Sequence, residues 1–534
     1  MTDPKSAPSS PISAAKGPGR RLLRAVGTIS FYTLLSRIMG FARDVVIARG
    51  FGAGMGADAF FVALKLPNFL RRLFAEGAFG TAFVPVFSDY LARGDERETR
   101  RAAQAVFTLL TLALTVVVMV GQVIMPLLIM ISAPGFVDDA EKYQLTIDLT
   151  RITFPYIGLI SLVALAGGIL NSHRRFALPA ATPILLNVFL ILGALVIAPY
   201  FERPAMGLAI GVFLGGVAQL AIQLPALKRL GLPFRFRWEP NHPAIKRILT
   251  LMGPSILGVS VAQINLVFDI LLASLLPAGS ISYLYYADRL VEFPLGLVGI
   301  AMATAILPAL SARAANQDIP GLKRELDFAL RVVVVINIPA TVGLIALREP
   351  ILSLLFERGA FDPETTRLTA QALLAYSVGL IAFSGVKVIA PAFYAMKDTR
   401  TPVRIAIICL LSNMVLNVIL MFPLQHAGLA LASSLASFLN VGLLLKHLRG
   451  KLGFTLSRAV IPAFWKTCLA SGVMFAFLEL ARVVYWQGGL TTLEKGLFLM
   501  PVILGGMVLF LGVARVLKLK ELTDMIAAVR SKKK

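Results

Sequence analysis

The sequence is poor in charged residues. Only 15% of its 534 residues are charged, 57% are hydrophobic, and the mean hydropathy is +0.79. In soluble domains roughly a quarter of all residues are charged. So little charge excludes an ordinary soluble protein and indicates a single polytopic membrane bundle.

Cysteine and histidine are also scarce. The two cysteines, Cys409 and Cys468, both lie in apolar segments, which excludes a disulfide framework and a cysteine metal site. The four histidines are isolated near the ends of apolar segments, which argues against a metal cluster.

Acidic residues are few, with 29 Asp and Glu against 52 Lys and Arg, a net charge of +23. The basic residues fall in short loops and tails between apolar segments, as membrane topology requires. They do not form one basic face, so we expect no nucleic-acid partner.

Long hydrophobic runs are abundant. The first 19 residues have the composition of a disordered tail and lack the pattern of a signal peptide, so the first apolar segment should be retained. The sequence predicts an all-α polytopic membrane protein with fourteen transmembrane helices. Their expected positions are 27–49, 58–90, 102–131, 144–171, 177–198, 205–227, 248–276, 281–311, 326–347, 368–394, 402–423, 427–446, 459–481 and 496–517.

The loops predict the orientation. With a cytoplasmic N-terminus, about 35 Lys and Arg fall inside, about 7 outside and about 10 within helices, as the positive-inside rule requires. We therefore expect both termini in the cytoplasm.

An internal repeat divides the chain. "TAFVPVFS" from Thr81 returns as "TAILPALS" from Thr304, and Thr182-Pro183 returns as Thr401-Pro402. An even number of helices in each unit predicts parallel pseudo-repeats about an axis along the membrane normal. The expected divisions are a basic tail (1–26), two six-helix lobes (27–230 and 244–448), two additional helices (458–519) and a basic tail (520–534).

Ionisable residues inside the predicted helices are the strongest functional indication. Each would cost at least about 2.5 to 3.5 kcal/mol at the bilayer centre if it faced lipid, so they predict a hydrated cavity. Segments 27–49, 58–90 and 281–311 carry Arg37, Arg43, Asp44, Asp58, Lys65, Asn68, Arg71, Arg72, Glu76, Asp288, Arg289 and Glu292.

Spacing places several of these charges together. Asp58, Lys65, Arg72 and Glu76 are seven, seven and four residues apart, so they share one helix face. Surplus arginines suit a phosphate- or pyrophosphate-bearing substrate, because the guanidinium fork binds phosphate oxygens in pairs. The alternative is that the charges are mutual salt bridges that gate or hold the bundle.

Pro67 disturbs the helical phase, so the sequence leaves open which of the two adjacent arginines that follow it, Arg71 or Arg72, faces the cavity.

A second polar group lies in the C-terminal half. Asn265 and Asp269, and likewise Asn413 and Asn417, are four residues apart and offer hard oxygen ligands. With a serine of segment 427–446 they could bind sodium, or Asp269 could hold a proton. Interhelical hydrogen bonds that only pack the lobe are an equal alternative.

Long motifs then identify a family. "SRIMGFARD", "DAFFVALKLPNFLRRLFAEGAFGTAFVPVF", "APGF", "ITFPYIGLISL", "GPSILGVSVAQIN", "YYADRLVEFPLGLVGIAMATAILPALS" and "TPVRIAI" occur in order. The chain resembles the MurJ (MviN) lipid II flippase family of the multidrug/oligosaccharidyl-lipid/polysaccharide exporter superfamily. The resemblance runs from about residue 25 to about residue 450, and the last two helices fit the family's fourteen-helix form.

The resemblance implies a transporter of the bacterial inner membrane, not an enzyme, that moves lipid II to the outer leaflet for peptidoglycan synthesis. It implies a central cavity lined by Arg37, Arg43, Arg71 or Arg72, and Arg289, with Asp58, Asp288 and Glu292 as acidic partners, and a groove for the polyprenyl tail. For the transport cycle we expect alternating access between the lobes, with Asp44, Asp288 and Glu292 in the gate. Membrane potential, sodium or a proton could drive the cycle, and no cofactor is expected. Expected partners are lipid II, membrane lipids and cell-wall synthesis or division proteins.

Four other functions compete with this one. An exporter of another polyprenyl-linked glycan would look similar, whereas a cation-coupled drug exporter would favour carboxylates and aromatics over surplus arginine. An enzyme acting on lipid-linked sugars would need a general base or metal at the membrane surface, for which the outside loops are too short. A scaffold would not need buried arginines.

Overall fold

The apolar runs fold into helices throughout the part of the chain that the structure describes. This computed structural model describes residues 18–72, 79–457, 460–486, 490–519 and 521–522, and within these ranges it contains helices and no strand. Inside a bilayer the backbone must satisfy its own hydrogen bonds, which explains this choice.

We name three groups of helices. The N-terminal lobe contains α1 (Pro18–Phe51), α2 (Met55–Leu70), α3 (Gly80–Ala92), α4 (Glu96–Val123), α5 (Met125–Ser132), α6 (Ala140–Thr153), α7 (Tyr156–Ser172), α8 (Ala177–Leu192), α9 (Ala205–Ala221) and α10 (Leu224–Arg229). The C-terminal lobe contains α11 (Pro243–Ser274), α12 (Ser280–Pro294), α13 (Ala301–Ala315), α14 (Ile319–Ala346), α15 (Arg348–Leu355), α16 (Pro363–Ala395) and α17 (Arg400–Leu452). The C-terminal pair is α18 (Val460–Tyr485) and α19 (Thr492–Val516).

Length and hydropathy show a multi-pass membrane protein. Ten helical stretches among the described residues are long and apolar enough to cross a bilayer. Each of the fourteen predicted segments coincides with at least one helix, but the count of fourteen crossings stays a prediction.

Several predicted segments are divided in the structure. Segment 102–131 breaks at Ile124, where α4 gives way to α5, and segment 144–171 breaks at Pro155, between α6 and α7. Within α17, Gln425 has φ 49° and ψ −131°, which interrupts the helix two residues after Pro423. That break lies between predicted segments 402–423 and 427–446.

The second helix of each lobe is followed by π-helical residues at corresponding positions. In the C-terminal lobe, a π-helical stretch, Leu295–Ile300, follows Pro294 and joins α12 to α13. In the N-terminal lobe, Arg71 and Arg72, which follow Pro67 by four and five residues, are π-helical. Proline lacks the backbone N–H that a regular helix needs, so it favours such local widening.

The outer faces of the helices are apolar and exposed. On α17, Ile408, Leu411, Val415 and Ile419 follow helical spacing and are all exposed. Such a stripe is suited to lipid tails. The C-terminal pair instead packs on α14 through an apolar cluster that includes Val335, Met474 and Leu499.

Candidate functional site

The site begins with adjacent charges on α1. Arg43 donates from Nη2 to Asp44 Oδ1 at 2.7 Å and from Nη1 to Asn187 Oδ1 on α8 at 3.0 Å. Tyr285 of α12 donates its hydroxyl to the same Asp44 oxygen at 2.9 Å. Asp44 is only 2% exposed, so this carboxylate joins the two lobes in a buried contact.

Arg289 extends this contact on the C-terminal side. Its Nε lies 3.6 Å from Asp44 Oδ2, and its Nη1 lies 2.7 Å from Glu292 Oε2. The guanidinium carbon lies 4.9 Å from the centre of the Tyr285 ring, and that ring stacks on Phe61 of α2 at 3.9 Å. Guanidinium groups from both lobes therefore meet around one carboxylate and one tyrosine.

Asp58 forms a second contact between the lobes, which we call the outer clamp. It accepts hydrogen bonds from Gly279 N (2.7 Å), Ser282 N (3.0 Å) and Ser282 Oγ (2.7 Å), and Lys142 Nζ lies 3.1 Å away. Gly279 is the N-cap of α12, so the carboxylate also lies at the favourable end of the helix dipole. We expected Asp58 among the cavity charges. Its side chain is instead buried, with 1% exposure, and its oxygens already accept hydrogen bonds from protein groups.

Backbone contacts reinforce closure at this end. Ala360 N donates to Arg49 O at 2.9 Å, and Tyr286 Oη donates to Gly52 O at 3.1 Å. Gly52 has φ +55°, and a side chain there would collide with the Ala360 carbonyl oxygen. These contacts join predicted outside loops, so the lobes meet at the end away from the basic loops.

Further along α1, α2 and α12 the predicted site charges are more open. Arg37, Arg72, Asp288 and Glu292 are exposed and Lys65 is partly buried. Lys65 and Arg72 follow Asp58 by 7 and 14 residues, roughly 10 and 21 Å along a helix. The charges that act on Asp288 include Glu292, Arg289, Lys65 and Arg72. The structure thus brings charges of both lobes together on the side of the outer clamp that the sequence predicts to face the cytoplasm.

The two adjacent arginines differ. Arg71 Nε donates to Asn68 Oδ1 at 3.1 Å and is partly buried, whereas Arg72 is exposed. Asn68 in turn donates to Leu64 O at 2.9 Å. Glu76 lies outside the described residues.

The second predicted cluster is also brought together. Asn417 Nδ2 donates to Asp269 Oδ1 at 2.8 Å and to Asn413 Oδ1 at 3.0 Å, and Asn265 donates to Asp269 Oδ2 at 3.1 Å. Among the described residues, the buried Oδ1 atoms of Asn265 and Asn417 accept no hydrogen bond. Ser433 Oγ lies 3.5 Å from Asn413 Nδ2. Carboxylate, amide and hydroxyl oxygens form a donor set that suits a hard cation.

Sequence reasoning missed several partners of the charged residues. Asn187, Tyr285, Lys142 and Ser282 all contact predicted site residues. Of these residues, only Tyr285 could have been predicted from the sequence, because it precedes Arg289 by four residues and so shares its helix face. The others depend on contacts between distant helices.

Comparison with known proteins agrees with this architecture. The family model described as Lipid II flippase MurJ matches residues 47–504. A probable lipid II flippase MurJ of Vibrio cholerae is 44% identical over 476 residues, 88% of this chain and 91% of the relative. A lipid II flippase MurJ of Burkholderia cenocepacia is 40% identical over 432 residues, 80% of this chain and 84% of the relative.

Solved structures show the same fold. A lipid II flippase MurJ in an inward closed conformation superimposes with a TM-score of 0.76 at 30% identity, covering 91% of this chain and 98% of that one. A multidrug resistance MATE family transporter of the MOP superfamily, in an inward-facing conformation, shares only the fold, with a TM-score of 0.63 at 15% identity over 80% of this chain and 98% of its own. The resemblance seen in the motifs is confirmed: this chain belongs to the MurJ family of lipid II flippases.

Proposed function

We propose that this protein moves lipid II, the undecaprenyl-pyrophosphate-linked precursor of peptidoglycan, from the cytoplasmic to the outer leaflet of the inner membrane. The observation that carries the proposal is the meeting of Arg43 and Arg289, from opposite lobes, below a closed outer clamp. Two planar guanidinium forks from different lobes can hold a diphosphate and release it when the lobes separate.

The exposed charges give a path to this point. Arg37, Lys65 and Arg72 would meet the headgroup first, with Arg71 and Asn68 beside them. The diphosphate then competes with Asp44 for the guanidinium groups of Arg43 and Arg289. Once those contacts break, the outer clamp opens by rocking of the lobes.

The gate would be completed by acidic residues. Asp44 re-pairs with Arg43 after release, while Asp288 and Glu292 offset the positive charge of Arg289 on the α12 side in the absence of substrate. In this scheme Asp58 stabilises the closed state and does not contact the substrate, because its oxygens are already bonded to α12 and Lys142.

We further propose that Asp269, Asn413 and Asn417 bind sodium, with a proton on Asp269 as the alternative coupling. The amide oxygens of Asn265 and Asn417 accept no hydrogen bond among the described residues, which favours a cation site over a purely structural network. Membrane potential can bias the cycle as well, at about 2.3 kcal/mol per charge per 100 mV.

The proposed topology has fourteen crossings, two six-helix lobes (27–230 and 244–448) and both termini in the cytoplasm. The basic loops and the internal repeat support it. The additional helices (458–519) would guide the polyprenyl tail, and cell-wall synthesis or division proteins are the expected partners.

Reconstitution tests the proposal. Purified protein in vesicles containing fluorescent lipid II should make the inner-leaflet pool accessible to an added membrane-impermeant quencher, and Arg43→Ala should not. Arg324→Ala removes an exposed cytoplasmic-side arginine outside the cavity and serves as the matched control. Equal quenching with and without the wild-type protein would contradict the proposal, and accumulation of a cationic drug instead would favour the drug-exporter alternative.

A further inference from the structure

The segment that connects the two lobes is fixed to the N-terminal lobe by specific contacts. Between α10 and α11 the chain is not helical, and Arg237 N donates to the buried Thr108 Oγ1 of α4 at 2.7 Å. The Phe234 ring stacks on Phe107 at 4.4 Å. The connecting segment therefore forms one wall of a preformed surface with α4.

This surface contains a cavity of about 380 Å³, which we call the linker cleft. Its lining residues are Glu96, Arg97, Arg100, Arg101, Gln104 and Arg237. Four guanidinium groups thus line the cleft with one carboxylate. Glu98 and Glu239 pair with Arg101 and Arg237, so the excess positive charge lies on Arg97 and Arg100.

The carboxylate of Glu239 fixes two of these arginines without neutralising the others. Arg237 Nε donates to Glu239 Oε1 at 2.6 Å and Arg101 Nε donates to Oε2 at 2.7 Å. These two bonds hold the pKa of the Glu239 carboxyl below its usual range. Within the described part of the chain, Arg97 and Arg100 have no carboxylate within 4.0 Å and remain available for an anion.

Aromatic side chains lie beside the cleft. Phe236 and Trp238 alternate with Arg235 and Arg237, and both aromatic side chains are 68% exposed. Tryptophan and aromatic neighbours with this exposure are typical of the membrane interface, at the depth of the lipid headgroups. The apolar part of α4 begins at Ala102, directly after the arginines, which is consistent with the same depth.

We propose that the linker cleft binds the phosphate diester of an anionic phospholipid of the cytoplasmic leaflet. Arg97 and Arg100 bind the phosphate oxygens, Arg101 and Arg237 supply further positive charge, and Phe236 and Trp238 pack among the upper acyl-chain carbons. The site is separate from the central cavity and from its arginines. Lipid bound there anchors the connecting segment to the membrane.

Lipid titration of the full-length protein in detergent tests this site, with phosphatidylglycerol as the probe and native mass spectrometry as the readout. Arg97→Gln/Arg100→Gln should weaken the tightest phosphatidylglycerol binding by roughly tenfold or more. The matched control, Lys323→Gln/Arg324→Gln, removes the same charge near the corresponding start of α14 and should leave that binding unchanged. Equal losses in both double variants would overturn the proposal.

Two further measurements separate a lipid from a soluble anion. In a Trp465→Phe/Trp486→Phe background, brominated phosphatidylglycerol should quench Trp238 more strongly than brominated phosphatidylcholine does. Equal quenching by the two lipids would overturn the proposal. Inorganic phosphate should fail to displace phosphatidylglycerol, and displacement would assign the cleft to a soluble phosphate ligand instead.

Discussion

At the scale of single residues, the site depends on charges that are partly neutralised by groups of the opposite lobe. Asp44 accepts bonds from Arg43 and Tyr285, and Arg289 lies nearby. The sequence indicated the charged members, because an ionisable residue in an apolar helix needs a reason to be there. Neutral partners such as Asn187 could not be predicted, since a single amide in a helix is equally consistent with packing.

Arg43→Ala should weaken lipid II binding by tenfold or more, on the order of 1.5 to 3 kcal/mol for lost charged hydrogen bonds. Arg43→Lys keeps the charge but loses the planar fork, so it should give an intermediate loss. Binding of lipid II to purified protein in detergent measures this. An unchanged affinity in Arg43→Ala would remove Arg43 from the substrate path.

The oxygen cluster gives a second prediction at this scale. Sodium chloride should raise the unfolding temperature of the wild-type protein above its value in potassium chloride, because a ligand that binds the native state stabilises it. Asp269→Asn should abolish this difference, and Asn417→Asp should enlarge it by supplying a second carboxylate. A sodium effect that persists in Asp269→Asn would show that the ion binds elsewhere.

At the scale of helices, hydropathy predicted the positions of the segments but not their interruptions. Runs of about 20 apolar residues locate a spanning helix whatever its neighbours are. Interruptions such as the π-helical stretch after Pro294 and the break at Gln425 depend on contacts that support an irregular backbone. Proline marks both places, yet other prolines, among them Pro391 in α16, lie in helices without such a break.

The attachment of α19 gives a prediction on pH. Glu357, in the loop before α16, contacts Lys495 Nζ at 2.9 Å and accepts from Thr366 Oγ1 at 2.8 Å. Burial raises the pKa of the Glu357 carboxyl, but the bonds from Lys495 and Thr366 outweigh it and leave the pKa below its ordinary value. Its stabilisation is therefore complete above the ordinary pKa near 4.5 and is lost as pH falls through the lower folded pKa.

Glu357→Gln should accordingly lower the free energy of unfolding at neutral pH by about 1 kcal/mol or less, given solvent screening. The difference from wild type should disappear in an acid series that passes below both pKa values. Glu364→Gln removes an exposed pair with Arg367 and should change little. If the difference in stability between wild type and Glu357→Gln grew as the pH falls, this assignment would be contradicted.

At the scale of the whole molecule, the structure shows a state in which the lobes meet at the end that contains Asp58, with cavity charges exposed toward the other end. The outer clamp and the nearby backbone contacts involve both lobes. The sequence predicted the two lobes through the repeat, but it could not indicate which end is closed, because one sequence must support both states of the cycle.

The outer clamp should control this equilibrium. Asp58→Asn leaves the buried Lys142 charge unpaired, which costs roughly 3 kcal/mol and should open the outer end. Adding Lys142→Met removes the unpaired charge and should partly restore closure. Spin labels at the exposed outside positions Asp138 and Glu364, in a cysteine-free background, report the distance between the lobes.

Wild type should give one short distance between those labels, and Asp58→Asn should add a longer one. An unchanged distribution in Asp58→Asn would mean that the backbone contacts alone hold the outer end closed.

The most direct test of the account measures outward-facing lipid II in cells depleted of this protein, with an added enzyme that cleaves only lipid II in the outer leaflet. We expect the cleavable pool to disappear while total lipid II rises, with wild type restoring it and Arg43→Ala failing at equal membrane levels. Unchanged outward lipid II after depletion, in cells without another lipid II transporter, would contradict the account.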